Sequence, residues 1–403
     1  MKQGNERGRR ILLAFALLLF CLSGCGNAEK KEADSTVTEG KASSSLTEDM
    51  WLGLTVEARV ENVYASEYRI DRLSGGFSRI TIREQEYLIV PPGAEIPEGI
   101  PKEVTVIRRP KEKIYVASSS AMSFFQALGI LDKVGYTSTR AADWAEEEIR
   151  NAVDQDRITY VGKYNAPDYE WLMQEGASIA VENTMLLHSP KTKEQLEQLG
   201  IPVLIEYSSY EKHPMGRLEW VRVYGCILGM EEEADRYFAA EDARFRKITA
   251  EAEKNNEENS AVGPAVIAYF YMNPNGYVSI QRPGSYVAEM IRLAGGTYFY
   301  SLDTEEDTAG GNMNLQTDRF YEAAKDVDVL IYNGAIYGPP EGLMQLTEDY
   351  PLLKDFKAVQ SGRVYVTGDN LFQGVTHMND VLEELTAIRK GQEGDGRFFR
   401  KLQ

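Results

Sequence analysis

YVGKYNAPDYEWLMQEGASIAVENTMLLHSPKTKEQLEQLGIPVLIEYSSYEKHPMGRLEWVRVYGCIL, residues 160–228, is the stretch that decides the fold. Along it, a short apolar run precedes a helical pattern three times. The successive pairs of run and helix are 158–161 with 168–175, 179–181 with 191–199, and 202–206 with a long helix that starts near residue 214. Short β-rich runs that alternate with helices are typical of parallel βα units, so the pattern predicts an α/β fold.

The residues at the boundaries of these units support the same interpretation. Ser189 before Pro190 is typical of a helix start, and Gly200 followed by Pro202 is typical of a helix end before a new strand. Ligands of parallel α/β sheets lie beyond the carboxyl ends of the strands. Those ends are predicted at 182–184 and 207–210, and both are polar.

Three motifs in the stretch resemble the class III substrate-binding proteins of bacterial ABC importers: GKYNAPDYEWL, EQLEQLGIPV and SSYEKHPMGRLEWVRVYGCILGMEEEA. The resemblance extends from about Ile114 to about Gly391. It implies two βα lobes joined by a long helix. It also implies a ferric siderophore or haem as ligand, with cobalamin as the alternative within the family, and an ABC permease with its ATPase as partners. The alternative outside the family is a surface lipoprotein that takes no part in transport.

With this resemblance, the sequence is predicted to divide into six segments. They are a lipoprotein signal peptide (1–24), a lipid anchor with a flexible tether (25–50), a small antiparallel β extension (51–110), an N-terminal βα lobe (111–213), a connecting long helix (214–254) and a C-terminal βα lobe (255–403). The extension is predicted from alternating apolar and polar residues with Gly and Pro at the turns. We expect it to brace or cover the first lobe.

The N-terminus carries the features of a targeting segment. Four basic residues precede the apolar core 11–21, which is too short to span a membrane. The core ends in Leu22-Ser23-Gly24-Cys25, which resembles a bacterial lipobox and implies cleavage before Cys25 and lipid attachment to its thiol. The alternative is an ordinary secretory peptide followed by a chance cysteine. We expect a lipid-anchored protein on the extracytoplasmic face of the cell membrane.

The bulk properties narrow the class of function. A formal net charge of −18 argues against nucleic-acid binding and against attraction to anionic lipid. The sequence has no Ser-His-Asp nucleophile elbow, no phosphate-binding glycine loop and no Cys-x-x-Cys pair, so we expect no enzyme activity. Because it holds only three histidines, a free metal-ion site is not expected, nor is a permanently bound cofactor. We expect a monomer.

The candidate ligand-binding residues are polar and aromatic residues at predicted strand ends and helix starts. The sequence has 23 tyrosines, whose flat rings and polar hydroxyl groups suit large conjugated or chelate ligands. They are Ser119, Ser120, Asn183, Tyr207, Tyr210, His213, Arg217, Tyr271 and Tyr337. Arg217 is the candidate to bind ligand carboxylates. Its alternative role is a salt bridge to Glu211 or Glu219.

Two acidic residues are candidates for docking to the permease. In similar proteins, one glutamate on the outer surface of each lobe pairs with arginines of the permease. The first motif position corresponds to Glu170 in PDYEWL, and the second to Asp318 in LQTDRFYEA. The second departs from the usual glutamate. Either acid could instead complement the positive end of its helix.

Overall fold

The computed structural model describes residues 50–258, 263–301, 310–368 and 370–403. The predicted signal peptide, the lipid anchor at Cys25 and nearly all of the tether lie outside these residues. Within them, no helix combines the length and the apolar character that crossing a membrane requires.

The N-terminal extension is a six-stranded sheet in simple chain order. Its strands are β1 (Met50–Trp51), β2 (Leu54–Val60), β3 (Tyr68–Leu73), β4 (Ser78–Ile82), β5 (Gln85–Val90) and β6 (Val104–Arg108). Neighbours are antiparallel as predicted, except that β5 and β6 are parallel. The connection 91–103 is long enough for the crossover that a parallel pair needs.

The first lobe is built on a five-stranded parallel sheet with the order β13-β12-β7-β8-β9. Its strands are β7 (Ile114–Val116), β8 (Val134–Thr137), β9 (Thr159–Tyr160), β12 (Ala180–Asn183) and β13 (Val203–Glu206), with a separate two-stranded ribbon of β10 (Gly162–Lys163) and β11 (Ala166–Pro167). Its helices are α1 (Ser119–Ala127), α2 (Glu147–Asp154), α3 (Tyr169–Gln174) and α4 (Pro190–Gln198). The three βα units predicted from residues 158–228 are therefore confirmed.

The predicted connecting helix 214–254 is wrong as a single element, because the structure has three helices there. They are α5 (Pro214–Glu219), α6 (Val221–Leu228) and α7 (Glu231–Glu258). Gly229 ends α6 with a φ of 71°, a left-handed conformation that an α-helix does not continue through. The long helix between the lobes is α7, and α5 with α6 belongs to the packed core. Gly225 lets α6 and α7 approach closely, since a Cβ there would lie 2.5 Å from the Cβ of Ala234.

The second lobe has a mixed seven-stranded sheet with the order β17-β15-β14-β18-β19-β20, and β16 pairs with β14. Its strands are β14 (Val266–Met272), β15 (Val278–Gln281), β16 (Thr297–Tyr298), β17 (Asn312–Leu315), β18 (Val329–Asn333), β19 (Val364–Thr367) and β20 (Arg400–Lys401). Its helices are α8 (Tyr286–Leu293), α9 (Thr317–Ala324), α10 (Leu343–Asp349), α11 (Lys357–Gln360), α12 (Asn370–Gln373) and α13 (Met378–Arg389). β14 and β15 pair antiparallel and form a hairpin.

The extension and the lobes share one continuous apolar core. Ile80, Tyr87 and Ile89 of the extension belong to the same buried cluster as the apolar residues of α5 and α6. The Tyr68 ring packs edge-on against Trp220, with centroids 5.2 Å apart. The extension is therefore fixed to the first lobe by burial of large side chains.

Candidate ligand-binding site

A cavity of about 530 Å³ opens between the two lobes and the N-terminal extension. Its volume lies within the range of small-molecule sites. The first lobe and α5 contribute Ser209, Tyr210, Glu211, Lys212 and Arg217. The second lobe contributes Gln281, Ser285, Tyr286, Gly310, Gly311, Asn312, Asn333 and Ile336, together with Phe372 of α12. The extension contributes Glu67 and Arg83.

The strands of both lobes direct polar residues to this cavity at their carboxyl ends. Ser209 and its neighbours follow β13, and Asn333 is the last residue of β18. Ser285 caps the N-terminus of α8, where its Oγ accepts a hydrogen bond from the Ala288 N–H at 3.3 Å, and Tyr286 is the first residue of that helix. The cavity therefore lies where the geometry of parallel α/β sheets places ligands.

Arg217 is the buried cation of the cavity. Only 4% of its surface is exposed, and its guanidinium carbon lies 3.9 Å from the centroid of the Tyr286 ring. Its Nε has no hydrogen-bond partner within the described part of the chain, and no described carboxylate forms an ion pair with it. A buried charge is unfavourable unless it is paired, so the cavity presents a cation that an anionic ligand group can complete.

The salt bridge considered for Arg217 is not formed, because both proposed acids bind the loop 61–67 of the extension. The Glu219 carboxylate accepts hydrogen bonds from the backbone N–H groups of residues 63, 64 and 65, each at 2.8 Å. The Glu211 carboxylate accepts from the N–H groups of residues 66 and 67, both at 2.9 Å, and from Trp220 Nε1 at 3.0 Å. Five consecutive backbone donors are thus satisfied by two buried acids, which fixes this loop beside the cavity.

Tyr207 and Tyr210 form an aromatic pair at the edge of the cavity. Their ring centroids are 5.3 Å apart, and the Arg83 guanidinium lies 4.8 Å from the first ring and 4.7 Å from the second. Tyr210 lines the cavity and is half exposed, whereas Tyr207 is more buried. Burial raises the pKa of the Tyr207 hydroxyl, and the neighbouring Arg83 opposes that shift.

His213 lies outside the residues that line the cavity. Its ring stacks on Tyr64 at a centroid distance of 4.5 Å, and its Nδ1 accepts a hydrogen bond from the Met215 N–H at 3.1 Å. Burial lowers the pKa of His213. The structure therefore gives this histidine the role of a cap for α5.

Tyr271 and Tyr337 contact each other with ring centroids 5.9 Å apart, and neither lines the cavity. Tyr337 is 55% exposed. They come from the second lobe as expected, but the structure pairs them with one another. Their contact with a ligand stays a prediction.

Two of the three polar candidates in the first lobe form local hydrogen bonds. Ser120 Oγ donates to Glu206 Oε1 at 2.6 Å, and Asn183 Oδ1 accepts from the Met185 N–H at 2.9 Å. Ser119 is the first residue of α1 and is partly buried. None of the three lines the cavity.

Sequence reasoning missed several cavity residues, above all Glu67 and Arg83 of the extension and Tyr286 of the second lobe. Tyr286 could have been found, because it directly follows Ser285, and a serine before an apolar run is typical of a helix start. No local pattern predicted that Glu67 and Arg83 line the cavity. Their place there depends on contacts of the extension with residues of the lobes more than 100 positions later in the sequence.

The two docking candidates lie on the surface of their lobes. Glu170 is exposed in the first turn of α3, next to Trp171, which is 44% exposed. Asp318 is exposed in the first turn of α9, where its Oδ1 accepts a hydrogen bond from the Arg319 N–H at 2.8 Å. Both positions are accessible to a partner.

Comparisons with known proteins agree with this architecture. The family model described as periplasmic binding protein matches residues 116–371. The uncharacterized lipoprotein MJ0878 of Methanocaldococcus jannaschii is 25% identical over 73% of this chain and 70% of its own length.

Two solved structures are similar in fold. A periplasmic haem-binding protein of Pseudomonas aeruginosa has a TM-score of 0.54 and 16% identity, over 70% of this chain and 94% of that one. The petrobactin-binding protein YclQ of Bacillus subtilis has a TM-score of 0.55 and 16% identity, over 71% and 94%. Since the family model covers more than half of the sequence, the chain belongs to the periplasmic binding protein family and has its class III fold.

Proposed function

We propose that this protein is an extracytoplasmic solute-binding lipoprotein that captures an anionic iron complex, a ferric siderophore or haem, and delivers it to an ABC importer. Cys25 carries the lipid that holds it at the membrane, and Glu170 with Asp318 contacts the permease. Family membership supports a solute-binding role. The names of the relatives, a lipoprotein and binders of haem and petrobactin, support the location and the ligand class.

The observation that carries the ligand assignment is the buried Arg217. Its guanidinium lies at the cavity without an ion pair to any described residue. An anionic group of the ligand would supply the missing charge through strong, charge-assisted hydrogen bonds. The half-exposed ring of Tyr210 suits the flat rings of a catecholate or a porphyrin.

The test is a titration of the purified protein with three coloured complexes. Binding is measured by the quenching of tryptophan and tyrosine fluorescence. The complexes are the trianionic ferric complex of a hexadentate tris-catechol chelator, haemin with its two propionates, and cyanocobalamin. We expect saturable binding of one or both anionic iron complexes at micromolar concentration or below. Saturable binding of cyanocobalamin alone would assign the protein to cobalamin, and no binding of any of the three would refute the proposal.

A further inference from the structure

The extension approaches the cavity through a loop and a hairpin tip that are both held in place. The loop 61–67 is anchored by the buried Glu211 and Glu219, as described above. The close contact requires Gly216, because a Cβ there would lie 3.0 Å from the carbonyl oxygen of Tyr64. Glu67, at the end of this loop, therefore has a fixed position at the cavity wall.

The hairpin tip between β4 and β5 carries Arg83 to the same place. Its backbone N–H donates to the Glu67 carbonyl at 3.1 Å, and its Nε donates to the Glu67 carboxylate at 2.6 Å. Its side chain is 45% exposed. An arginine has five N–H donors, and only Nε has a hydrogen-bond partner in the parts of the chain that the structure describes. The other donors are available to a ligand.

The backbone at Arg83 has a conformation that residues with a side chain seldom adopt. Its φ is 53°, a left-handed conformation that Gly or Asn adopts more easily than Arg. An arginine at this position costs folding free energy, which its contacts with Glu67 and with the rings of Tyr207 and Tyr210 offset.

We propose that the N-terminal extension forms a third wall of the ligand site, in which Arg83 binds an anionic group at the exposed end of the ligand and Glu67 competes for it. The extension thereby selects ligands by their charge, at a distance from the buried Arg217. This inference rests on the proposed function only in that the occupant of the cavity is anionic.

If Glu67 competes with the ligand for Arg83, two substitutions that remove the same ion pair should change the ligand affinity in opposite directions. Arg83→Asn removes the cation while keeping a residue that tolerates the left-handed backbone. It should weaken binding of an anion about tenfold, as expected for a charge-assisted hydrogen bond. Glu67→Gln keeps the shape but removes the competing negative charge, so it should tighten binding about threefold. A purely structural ion pair predicts that both substitutions act in the same direction.

The experiment measures the affinity of the full-length protein in detergent for the ferric tris-catechol complex by fluorescence quenching. Thermal melts of each variant confirm that it is folded. The matched control is Arg108→Ala, which removes an exposed arginine of the same sheet that donates to the Ala94 carbonyl and does not line the cavity. We expect the control to bind like the wild type.

A second arm of the experiment uses citrate, a small trianion without iron. Titration calorimetry measures the affinity of the wild type and the same variants for citrate. If the wild type binds the ferric complex but Arg83→Asn and Glu67→Gln leave affinity within twofold, or weaken it alike, the inference is overturned and the proposed function stands. If the wild type does not bind the ferric complex, haemin replaces it as the probe for the same variants. If the wild type binds neither iron complex, the proposed function fails and citrate decides. If Arg83→Asn then lowers the affinity for citrate and Glu67→Gln raises it, the result supports the extension as a third wall of the site. If citrate does not bind, or if both substitutions change its affinity in the same direction, the inference is overturned.

Discussion

Replacement of Arg217 by alanine is the perturbation whose effect the structure defines best. The substitution removes a guanidinium that is 4% exposed, lies 3.9 Å above the Tyr286 ring and has no ion-pair partner among the described residues. The two acids that could have paired with it are bound to the loop 61–67 instead. Ligand binding and folding should therefore respond differently to its loss.

The expected effects on ligand affinity and on stability differ, because Arg217 interacts with a ligand anion in one case and with Tyr286 in the other. A hydrogen bond to a charged group contributes about 1.5–3 kcal/mol, so Arg217→Ala should weaken binding of an anionic ligand by about 10- to 100-fold. In the folded state the variant loses the cation–π contact with Tyr286, which contributes about 0.5–2 kcal/mol. It also avoids the burial of an unpaired charge, which costs a similar or larger amount of free energy. The melting temperature should therefore change little, or rise.

Fluorescence titration with the ferric tris-catechol complex, together with thermal melts of wild type and variant, separates the two effects. Arg236→Ala is the matched control, since that arginine lies on α7, is 67% exposed and is remote from the lining residues. A lower melting temperature with unchanged affinity would show that Arg217 is a structural residue and would refute the charge argument for the cavity.

Four further substitutions test other parts of the molecule. Cys25→Ala should release the protein from membranes or block its processing, and a processed variant that fractionates wholly with membranes would contradict lipid attachment at this residue. Glu170→Arg, and similarly Asp318→Arg, should reduce uptake of the iron complex by whole cells without changing the affinity measured in solution, whereas normal uptake would exclude a docking role. Gly225→Ala should lower the free energy of unfolding by about 1–3 kcal/mol in urea titrations, because the new methyl group would lie 2.5 Å from the Ala234 Cβ; an unchanged midpoint would mean that α6 and α7 separate without strain.

The part of the fold that could be predicted is the part encoded by local patterns. The βα units of residues 158–228 were recognisable because apolar runs, N-cap residues and glycines act on their immediate neighbours. Arg217 and Tyr210 line the cavity, as expected where strand ends converge in such sheets, and their contact with a ligand stays a prediction. The helical segment 214–254 is interrupted at Gly229, a residue type that typically ends helices, and also at Trp220, where no glycine or proline signals the division.

The remaining features depend on long-range contacts. Glu211 lies three residues before the start of α5 and Glu219 is the last residue of that helix, so a salt bridge from either acid to Arg217 was a reasonable expectation. Their carboxylates instead bind backbone donors about 150 positions earlier in the chain. Ring stacking on Tyr64 likewise withdraws His213 from the cavity. Such contacts follow from the docking of the extension, which no local pattern encodes.

Competition among coloured ligands tests the central claim, an anionic iron complex in the cavity, most directly. The purified protein is incubated with an equimolar mixture of the ferric tris-catechol complex, haemin and cyanocobalamin, the excess is removed by gel filtration, and the visible spectrum of the protein fraction is recorded. We expect the charge-transfer band of the ferric catecholate or the Soret band of haem to elute with the wild type and to be strongly reduced with Arg217→Ala. A protein fraction that carries only the cobalamin bands, or none, or one whose iron-complex band is the same in both proteins, would contradict it.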